Sequence, residues 1–175
     1  MKLIVSDEII QSYPDLRIGC VVAREINNVG TRDEIENLKR EKALSFCKQH
    51  TPETLADHPH IVAWQEAYKS FGMKPKKYPP TVEATAKRVL KKGEFPTISK
   101  VVDLYLVAEI QNLIPVGGYD LDRVEGDIVL KKSHGNEKFI PIGGTAEELT
   151  FPGEVIYADT SKILTKSWNY KDCDS

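Results

Sequence analysis

The sequence predicts an α+β fold in which residues 1–175 form a single domain, with helices in the N-terminal two thirds packed on a mainly C-terminal β-sheet. Two observations support this prediction. Apolar residues recur at helical spacing in much of the chain up to residue 113, and short apolar runs separated by turn residues follow from there. Helices followed by strands are typical of the α+β class, and 175 residues are enough to bury a hydrophobic core.

Two strands and a short helix are predicted at the N-terminus. Residues 2–5 form a short apolar run that predicts a strand. Ser6 can cap the helix that follows, and Pro14 ends it. Residues 17–26 (RIGCVVAREI) form a longer and mostly apolar run, which predicts a largely buried strand.

Five helices and then four strands are predicted in the rest of the chain. Thr31 and Glu34 have the spacing of a capping box, in which each side chain bonds a free amide of the first helical turn. Pro52 favours the first position of another helix, and Gly93 favours a helix end. The predicted helices are 31–50, a short helix from residue 52, 60–71, Thr81–Lys92 and 99–113, and the predicted strands are 127–132, 138–142, 154–158 and 163–168.

The helix at 99–113 is predicted to be the most buried helix. Its apolar run is nearly continuous from Val101 to Ile110, which leaves little polar surface to face water. Leu104 and Val107 are therefore expected in the core, where truncation of either side chain destabilises the fold.

Two carboxylates lie within this apolar helix. Asp103 and Glu109 are six residues apart, which places them about 240° apart around the helix axis, so they cannot form an acid/base pair on one face. Asp103 is near the helix start, where it is expected to accept amides or to pair with an arginine. For Glu109 two interpretations stay open, a pocket-facing polar group or a surface residue.

Three residues after this helix are candidates for the wall of a ligand pocket. Gly117 and Gly118 can supply positive φ and let a ligand approach the backbone, or they can form a tight turn with no ligand. Trp168 fits the core or a sheet edge as well as it fits a pocket. The candidate substrate pocket therefore comprises Glu109, Gly117, Gly118 and Trp168.

A basic segment is the strongest functional signal from composition. Between Lys69 and Gly93 the chain has eight basic residues and one acid, a net charge of +7 in a protein whose total is −2. Such asymmetry is typical of a phosphate-binding face, and Tyr68, Phe71 and Tyr78 could stack on bases there. The alternative is a solvated helix and loop with the aromatic residues in the core. The candidate RNA-binding residues are Lys74, Lys76, Lys77, Lys87, Arg88, Lys91 and Lys92.

Several classes of function receive no support from the sequence. There is no nucleotide-binding glycine motif, no nucleophile elbow and no HExxH motif, so no catalytic residue is assigned and no cofactor is expected. His58 and His60 lie close together without further ligands, so no metal site is predicted. Three widely spaced cysteines and the lack of a signal peptide or membrane-spanning segment predict a cytoplasmic protein.

Residues 60–172 contain a set of features that belong together: the run VVDLYLVAEIQNLIPVGGYDLDRVEGDIVLKK, the later run FPGEVIYAD, and the residues Trp64, Tyr68, Gly72, Asp103, Pro115, Tyr119, Asp120, Ile128, Glu154 and Asp159. On these features the stretch resembles the B3/B4 editing module of the phenylalanyl-tRNA synthetase beta subunit, and it resembles free-standing relatives of that module more closely. The resemblance implies the α+β fold of that module.

The resemblance implies tRNA as the partner and hydrolysis of a mis-attached amino acid as the activity. The family histidine falls on Gly117 and the family asparagine on Leu106. The glutamate that reads the tyrosine hydroxyl falls near residues 172–174, and Trp168 stands where the family has a small residue. These departures imply an amino-acid specificity other than tyrosine. In the family, the pattern normally continues into another strand beyond the position that corresponds to residues 172–174.

Three functions follow as hypotheses. The first is a trans-editing hydrolase that acts on the aminoacylated acceptor end of tRNA. The second is a non-catalytic RNA-binding module that has lost the editing chemistry, and the third is a small-molecule-binding protein. The amino acid, the tRNA and the oligomeric state stay open.

Overall fold

The computed structural model describes residues 1–30 and 32–173, and in them it confirms the α+β prediction. The six helices of these residues precede most of the strands. They are α1 (Asp7–Ser12), α2 (Asp33–Gln49), α3 (Pro52–Ala56), α4 (Pro59–Ser70), α5 (Thr81–Lys92) and α6 (Lys100–Asn112). The strands are β1 (Leu3–Val5), β2 (Ile128–Lys132), β3 (Lys138–Phe139), β4 (Glu148–Leu149), β5 (Val155–Ala158), β6 (Ile163–Lys166) and β7 (Lys171–Asp172).

The chain is organised as two compact units. The sheet unit consists of Met1–Cys20, Tyr68–Lys74 and the described residues from Tyr119 on, and the helical unit consists of Val21–Ala67 and Pro75–Gly118. That residues 1–175 form a single domain stays a prediction.

The sheet unit is built on a five-stranded mixed sheet in the order β1-β2-β5-β6-β7. β1 pairs with β2 in parallel, and the other neighbours pair antiparallel. The apolar core of this unit includes Phe139, Ile156 and Leu164, which are almost fully buried. α1 packs against β2, while β3 and β4 form a separate two-stranded sheet.

The helical unit has its own apolar core, in which α2, α5 and α6 pack against one another. Ala43 from α2, Val82 and Val89 from α5, and Ile110 from α6 are at most 1% exposed. Ser99 begins α6, because its hydroxyl accepts a hydrogen bond from the Val102 amide at 3.3 Å.

The predicted strand at 17–26 is wrong. The segment has no regular secondary structure, and Val21, Val22 and Ile26 are 95%, 64% and 54% exposed. β-branched residues favour a strand only where a neighbouring strand supplies hydrogen bonds and a packed face, and within the described residues β1 pairs with β2 alone. The composition of residues 17–26 therefore favours a strand, but in the described part of the chain this segment pairs with no strand.

Several element boundaries also differ from the predictions. Thr31 of the predicted capping box lies outside the described residues, and α2 begins at Asp33 with Arg32 as its N-cap. The short strands β4 and β7 were not predicted, because two residues are too few to show a period. β6 ends at Lys166, before the predicted residue 168, because Ser167 and Trp168 have φ of 52° and 63°.

α6 has more buried residues than any other helix that the structure describes, as predicted. The prediction that Leu104 lies in the core is nevertheless wrong, because Leu104 is 45% exposed, whereas Val107 is 3% exposed. The helix has one buried and one exposed face, and an apolar residue on the exposed face cannot be told from a core residue when the apolar run is nearly continuous.

Val107→Ala is expected to lower the free energy of unfolding by about 1–4 kcal/mol, because it leaves a cavity in the core of the helical unit. Leu104→Ala is the matched control and should change it by less than about 1 kcal/mol, because the side chain is already half in water. Urea titration of both variants measures the difference. Equal losses in the two variants would contradict this placement of the helix faces.

Candidate functional site

Asp103 has the structural role predicted for it. It is 0% exposed, and its Oδ1 accepts the Ile98 amide at 2.8 Å. Its Oδ2 lies 3.1 Å from the Lys39 Nζ and 3.6 Å from the Arg32 Nη1. Lys39 is itself only 3% exposed, so the pair is a buried ion pair that fixes the start of α6 against α2.

Glu109 is fully buried, which excludes the surface interpretation. Its Oε2 accepts a hydrogen bond from the Val116 amide at 3.0 Å. The carboxylate therefore joins the middle of α6 to the segment that follows the helix. This contact sets the path of the backbone just before Gly117.

Gly117 and Gly118 do not have positive φ, so the conformational part of their prediction is wrong. The left-handed residue at the end of α6 is instead Leu113, with φ of 51°. A Cβ on Gly117 would meet nothing within 4 Å, and one on Gly118 would lie 3.6 Å from the Tyr105 Cε1. Within the described residues, neither amide donates a hydrogen bond to the protein.

Trp168 belongs to the sheet unit and is 4% exposed. Its ring centroid lies 4.7 Å from that of Tyr13 in an edge-on arrangement and 6.2 Å from that of Phe71. Its amide donates to the Val155 carbonyl at 2.6 Å. Trp168 is thus a packed aromatic residue of the sheet unit, whereas Glu109, Gly117 and Gly118 belong to the helical unit. That the four form one pocket stays a prediction.

The residue before Trp168 takes part in a polar contact that the sequence did not indicate. The Ser167 hydroxyl donates to Glu154 Oε1, and the Phe151 amide donates to Glu154 Oε2 at 3.1 Å. Glu154 is 0% exposed, and burial raises the pKa of its carboxyl. The two hydrogen bonds lower this pKa and so oppose part of the shift. The contact spans 13 residues, so no local sequence pattern could reveal it.

A second polar chain crosses the sheet unit from Tyr119 to Asp172. The Thr165 hydroxyl donates to Asp172 Oδ1 at 2.6 Å, so the Tyr119 hydroxyl donates in turn to Thr165 Oγ1 at 2.5 Å. Burial raises the pKa of Asp172, and the hydrogen bond from Thr165 opposes this shift. Asp172 lies at the start of the stretch where the resemblance puts a substrate-reading carboxylate, and residue 174 lies outside the described residues.

The basic residues of α5 form one exposed stripe. Lys87, Arg88, Lys91 and Lys92 are exposed, while Val82, Glu83, Ala86 and Val89 face the core. Glu83 is 3% exposed, and it accepts hydrogen bonds from the Lys87 Nζ at 2.6 Å and from the Gln65 Nε2 at 3.0 Å. The outer face of α5 therefore presents cations, while its single acid lies underneath them.

The loop before α5 presents further cations. Lys76 and Lys77 are exposed, and the Lys77 Nζ lies 5.0 Å from the ring centroid of Tyr78, which is half-buried. Lys74 is exposed as well and belongs to the sheet unit. Tyr78 is thus accessible in part for stacking on a base.

Two of the three aromatic residues proposed for stacking are not available for it. Tyr68 and Phe71 are 0% and 7% exposed, and the Tyr68 hydroxyl donates to Asn169 Oδ1 at 2.6 Å. Their helical spacing already allowed the alternative interpretation, in which they are core residues, and the structure confirms that alternative.

His58 lies between two other histidines. Its ring centroid is 6.2 Å from that of His50 and 5.1 Å from that of His60, whose Nδ1 lies 3.0 Å from the Asn112 carbonyl oxygen. Burial lowers the pKa of His58, and the two neighbouring histidines lower it further. Among the described residues, no group of three histidine, cysteine or acidic side chains is arranged to hold a metal ion.

None of the helices in the described residues has the length and apolar character needed to cross a membrane.

Comparisons with known proteins place the chain in a family. Searches of curated proteins and of solved structures returned no match. The B3/4 domain profile matches residues 63–175, which is more than half of the sequence. The chain therefore belongs to the B3/4 domain family.

Proposed function

We propose that this protein binds tRNA and that the basic residues of the helical unit hold its phosphates. The observation that carries this proposal is an exposed stripe of cations on α5 in a protein of net charge −2. The stripe consists of Lys87, Arg88, Lys91 and Lys92, and the exposed Lys76 and Lys77 lie in the loop before this helix. Phosphate contacts dominate nucleic-acid affinity, and a local cationic face supplies them even when the whole chain is acidic.

The proposed activity is trans-editing, the hydrolysis of an amino acid wrongly attached to tRNA, in the cytoplasm. The acceptor end with its ester would lie beside Glu109, Gly117 and Gly118 of the helical unit. A positioned water would attack the carbonyl carbon, and a tRNA hydroxyl would assist the proton transfer. This scheme needs no protein nucleophile and no cofactor, which is consistent with the lack of a catalytic motif in the sequence.

The backbone at Gly117 and Gly118 supports the proposal. Two successive amides that donate to no described protein atom can stabilise the oxyanion that develops on the ester carbonyl. The space around Gly117 is open to at least 4 Å from the position of a Cβ, so a ligand can approach the backbone there. Glu109 holds the preceding residue through the Val116 amide and so positions both glycines.

A second candidate function is a non-catalytic RNA-binding module. The observation that favours it is Gly117 itself, which stands at the position of the family histidine. Loss of that side chain removes a group able to orient water, while the basic face would still bind RNA.

One experiment separates these functions. The protein is incubated with a panel of aminoacylated tRNAs, and loss of the ester is followed alongside a tRNA-binding titration. Ester loss with at least one aminoacyl-tRNA supports the hydrolase. Binding without any hydrolysis supports the non-catalytic module, and the absence of tRNA binding would refute both.

Gly118→Val is expected to slow hydrolysis at least about tenfold and to leave tRNA affinity within about twofold, because its branched side chain covers the amide that faces the ester. Gly118→Ala is the matched control, since a Cβ at 3.6 Å from Tyr105 is an ordinary contact. Single-turnover deacylation and a binding titration of both variants test this. Unchanged hydrolysis in Gly118→Val would place the chemistry elsewhere.

A further inference from the structure

Three of the four histidines of the chain lie together in the helical unit, and the proposed function does not use them. His50 is the C-cap of α2, His58 directly precedes α4, and His60 lies in the first turn of α4. The His58 ring centroid lies 6.2 Å from that of His50 and 5.1 Å from that of His60. The fourth histidine, His134, is exposed on the sheet unit.

The His58 ring caps the start of α4 in its neutral form. Pro59 is the first residue of this helix and has no amide hydrogen, so His60 supplies the first amide that lacks a partner within the helix. The His60 amide donates to His58 Nδ1 at 3.3 Å, and the Val62 amide donates to the His58 carbonyl at 3.0 Å. A ring nitrogen accepts a hydrogen bond only while it carries no proton, so only the neutral ring can cap the helix.

The His60 ring links this cap to the end of α6. Asn112 is the last residue of α6, and its carbonyl oxygen lies 3.0 Å from the His60 Nδ1, which therefore donates. His60 thus bonds His58 through its amide and α6 through its ring. After Asn112 the chain turns at Leu113, with φ of 51°, into the segment that leads to Gly117.

A proton on His58 is incompatible with this arrangement. It turns Nδ1 from an acceptor into a donor that faces the His60 amide, and it adds a positive charge at the positive end of the α4 dipole. Burial lowers the pKa of His58, and the charges of His60 and His50 lower it further. α6 contributes the uncharged carbonyl of Asn112 to the cluster, and within the described residues no carboxylate raises the pKa of His58.

We propose that His58 is an acid-sensitive latch, which holds the end of α6 through His60 while its ring is neutral and releases it when the ring is protonated. Stability that depends on the neutral ring is fully present above the ordinary histidine pKa of about 6.5, and it is lost as the pH falls towards the lower pKa of the folded chain. Control of hydrolysis by this latch rests on the proposed function, because Gly117 and Gly118 follow α6 in the chain.

Amide exchange of the full chain at about pH 7.5 and about pH 5, without RNA, tests the latch. The informative amides are those of Leu113, Ile114 and Val116, which all donate to Glu109, and that of His60. Each rate is divided by the unfolded-chain rate at the same pH. Protection of these amides relative to that of α5 is expected to fall at least about threefold at the lower pH. An unchanged ratio would overturn the proposal.

His58→Asn identifies the titrating group, because asparagine offers a cap acceptor that takes up no proton in this range. Its protection ratio should change by less than about 1.5-fold between the two pH values. His134→Asn is the matched control and should respond as the wild type does. An equal response of wild type and His58→Asn would contradict the latch, as would a lost response in His134→Asn. Hydrolysis of aminoacylated tRNA is measured separately, so its absence beside a normal exchange response would count against the proposed function alone.

Discussion

A variant in which Lys76, Lys77, Lys91 and Lys92 are all glutamate is expected to lose measurable tRNA binding while it keeps its fold. All four side chains are exposed, so their replacement leaves the core of the helical unit unchanged. The four substitutions change the charge of this face by eight units and turn phosphate attraction into repulsion. Wild-type affinity should also fall steeply with salt, because bound cations of the RNA are released on binding.

Fluorescence anisotropy with labelled tRNA at several salt concentrations measures both effects, and circular dichroism checks the fold. A matched control makes the same charge change elsewhere, with Lys2, Lys42, Lys48 and Lys138 replaced by glutamate, and should retain most of the affinity at moderate salt. If the first variant binds tRNA as tightly as the wild type, the basic face is not the binding surface. If both variants lose binding equally, net charge rather than this face governs affinity.

Asp103→Ala is expected to lower the free energy of unfolding by about 3–5 kcal/mol, because it removes the buried carboxylate beside the Lys39 ammonium and leaves the part-exposed Glu36 carboxylate, 2.9 Å away, as the remaining charged partner of Lys39. The Ile98 amide loses its acceptor at the same time. The loss should be larger than that of any single truncation on the outer face of α6. Urea titration monitored by circular dichroism gives the value.

Removing both partners is the control for this interpretation. In the double variant Lys39→Met with Asp103→Leu, neither buried charge remains, so stability should recover part of the loss seen in Asp103→Ala. A double-mutant cycle with the single variants Lys39→Met and Asp103→Leu gives the coupling energy between the two side chains. A loss below about 1 kcal/mol in Asp103→Ala, or strict additivity in the cycle, would contradict a buried ion pair at this position.

The sequence predicts well those features that depend on local physical rules. Ser99 begins α6 and Gly93 ends α5 because capping and left-handed geometry select these residue types within one turn. The role of Asp103 was predictable for a related reason, since a carboxylate early in an apolar helix needs partners. The pattern on α5 also separates buried from exposed positions.

Features that depend on distant parts of the chain were not predictable. Residues 17–26 have the composition of a strand, but a strand also needs a neighbouring strand to pair with, which their own sequence does not reveal. Ser167 and Trp168 take positive φ although neither is glycine, and Glu154, Val155 and their hydrogen bonds hold them there. Leu104 was misplaced because hydrophobicity alone does not show which side of a helix faces its neighbours.

The burial of Glu83 beneath the cations of α5 separates two properties of the protein. The inner face of the helix, with Glu83 bonded to Gln65 and to the Lys87 ammonium, fixes how α5 sits in the helical unit. The other outer cations, Arg88, Lys91 and Lys92, are exposed and contribute little to that packing. Substitutions at Arg88, Lys91 and Lys92 can therefore raise or lower the attraction for an anionic partner, one cation at a time, without changing how firmly the helix is held, whereas a substitution at Lys87 changes both properties.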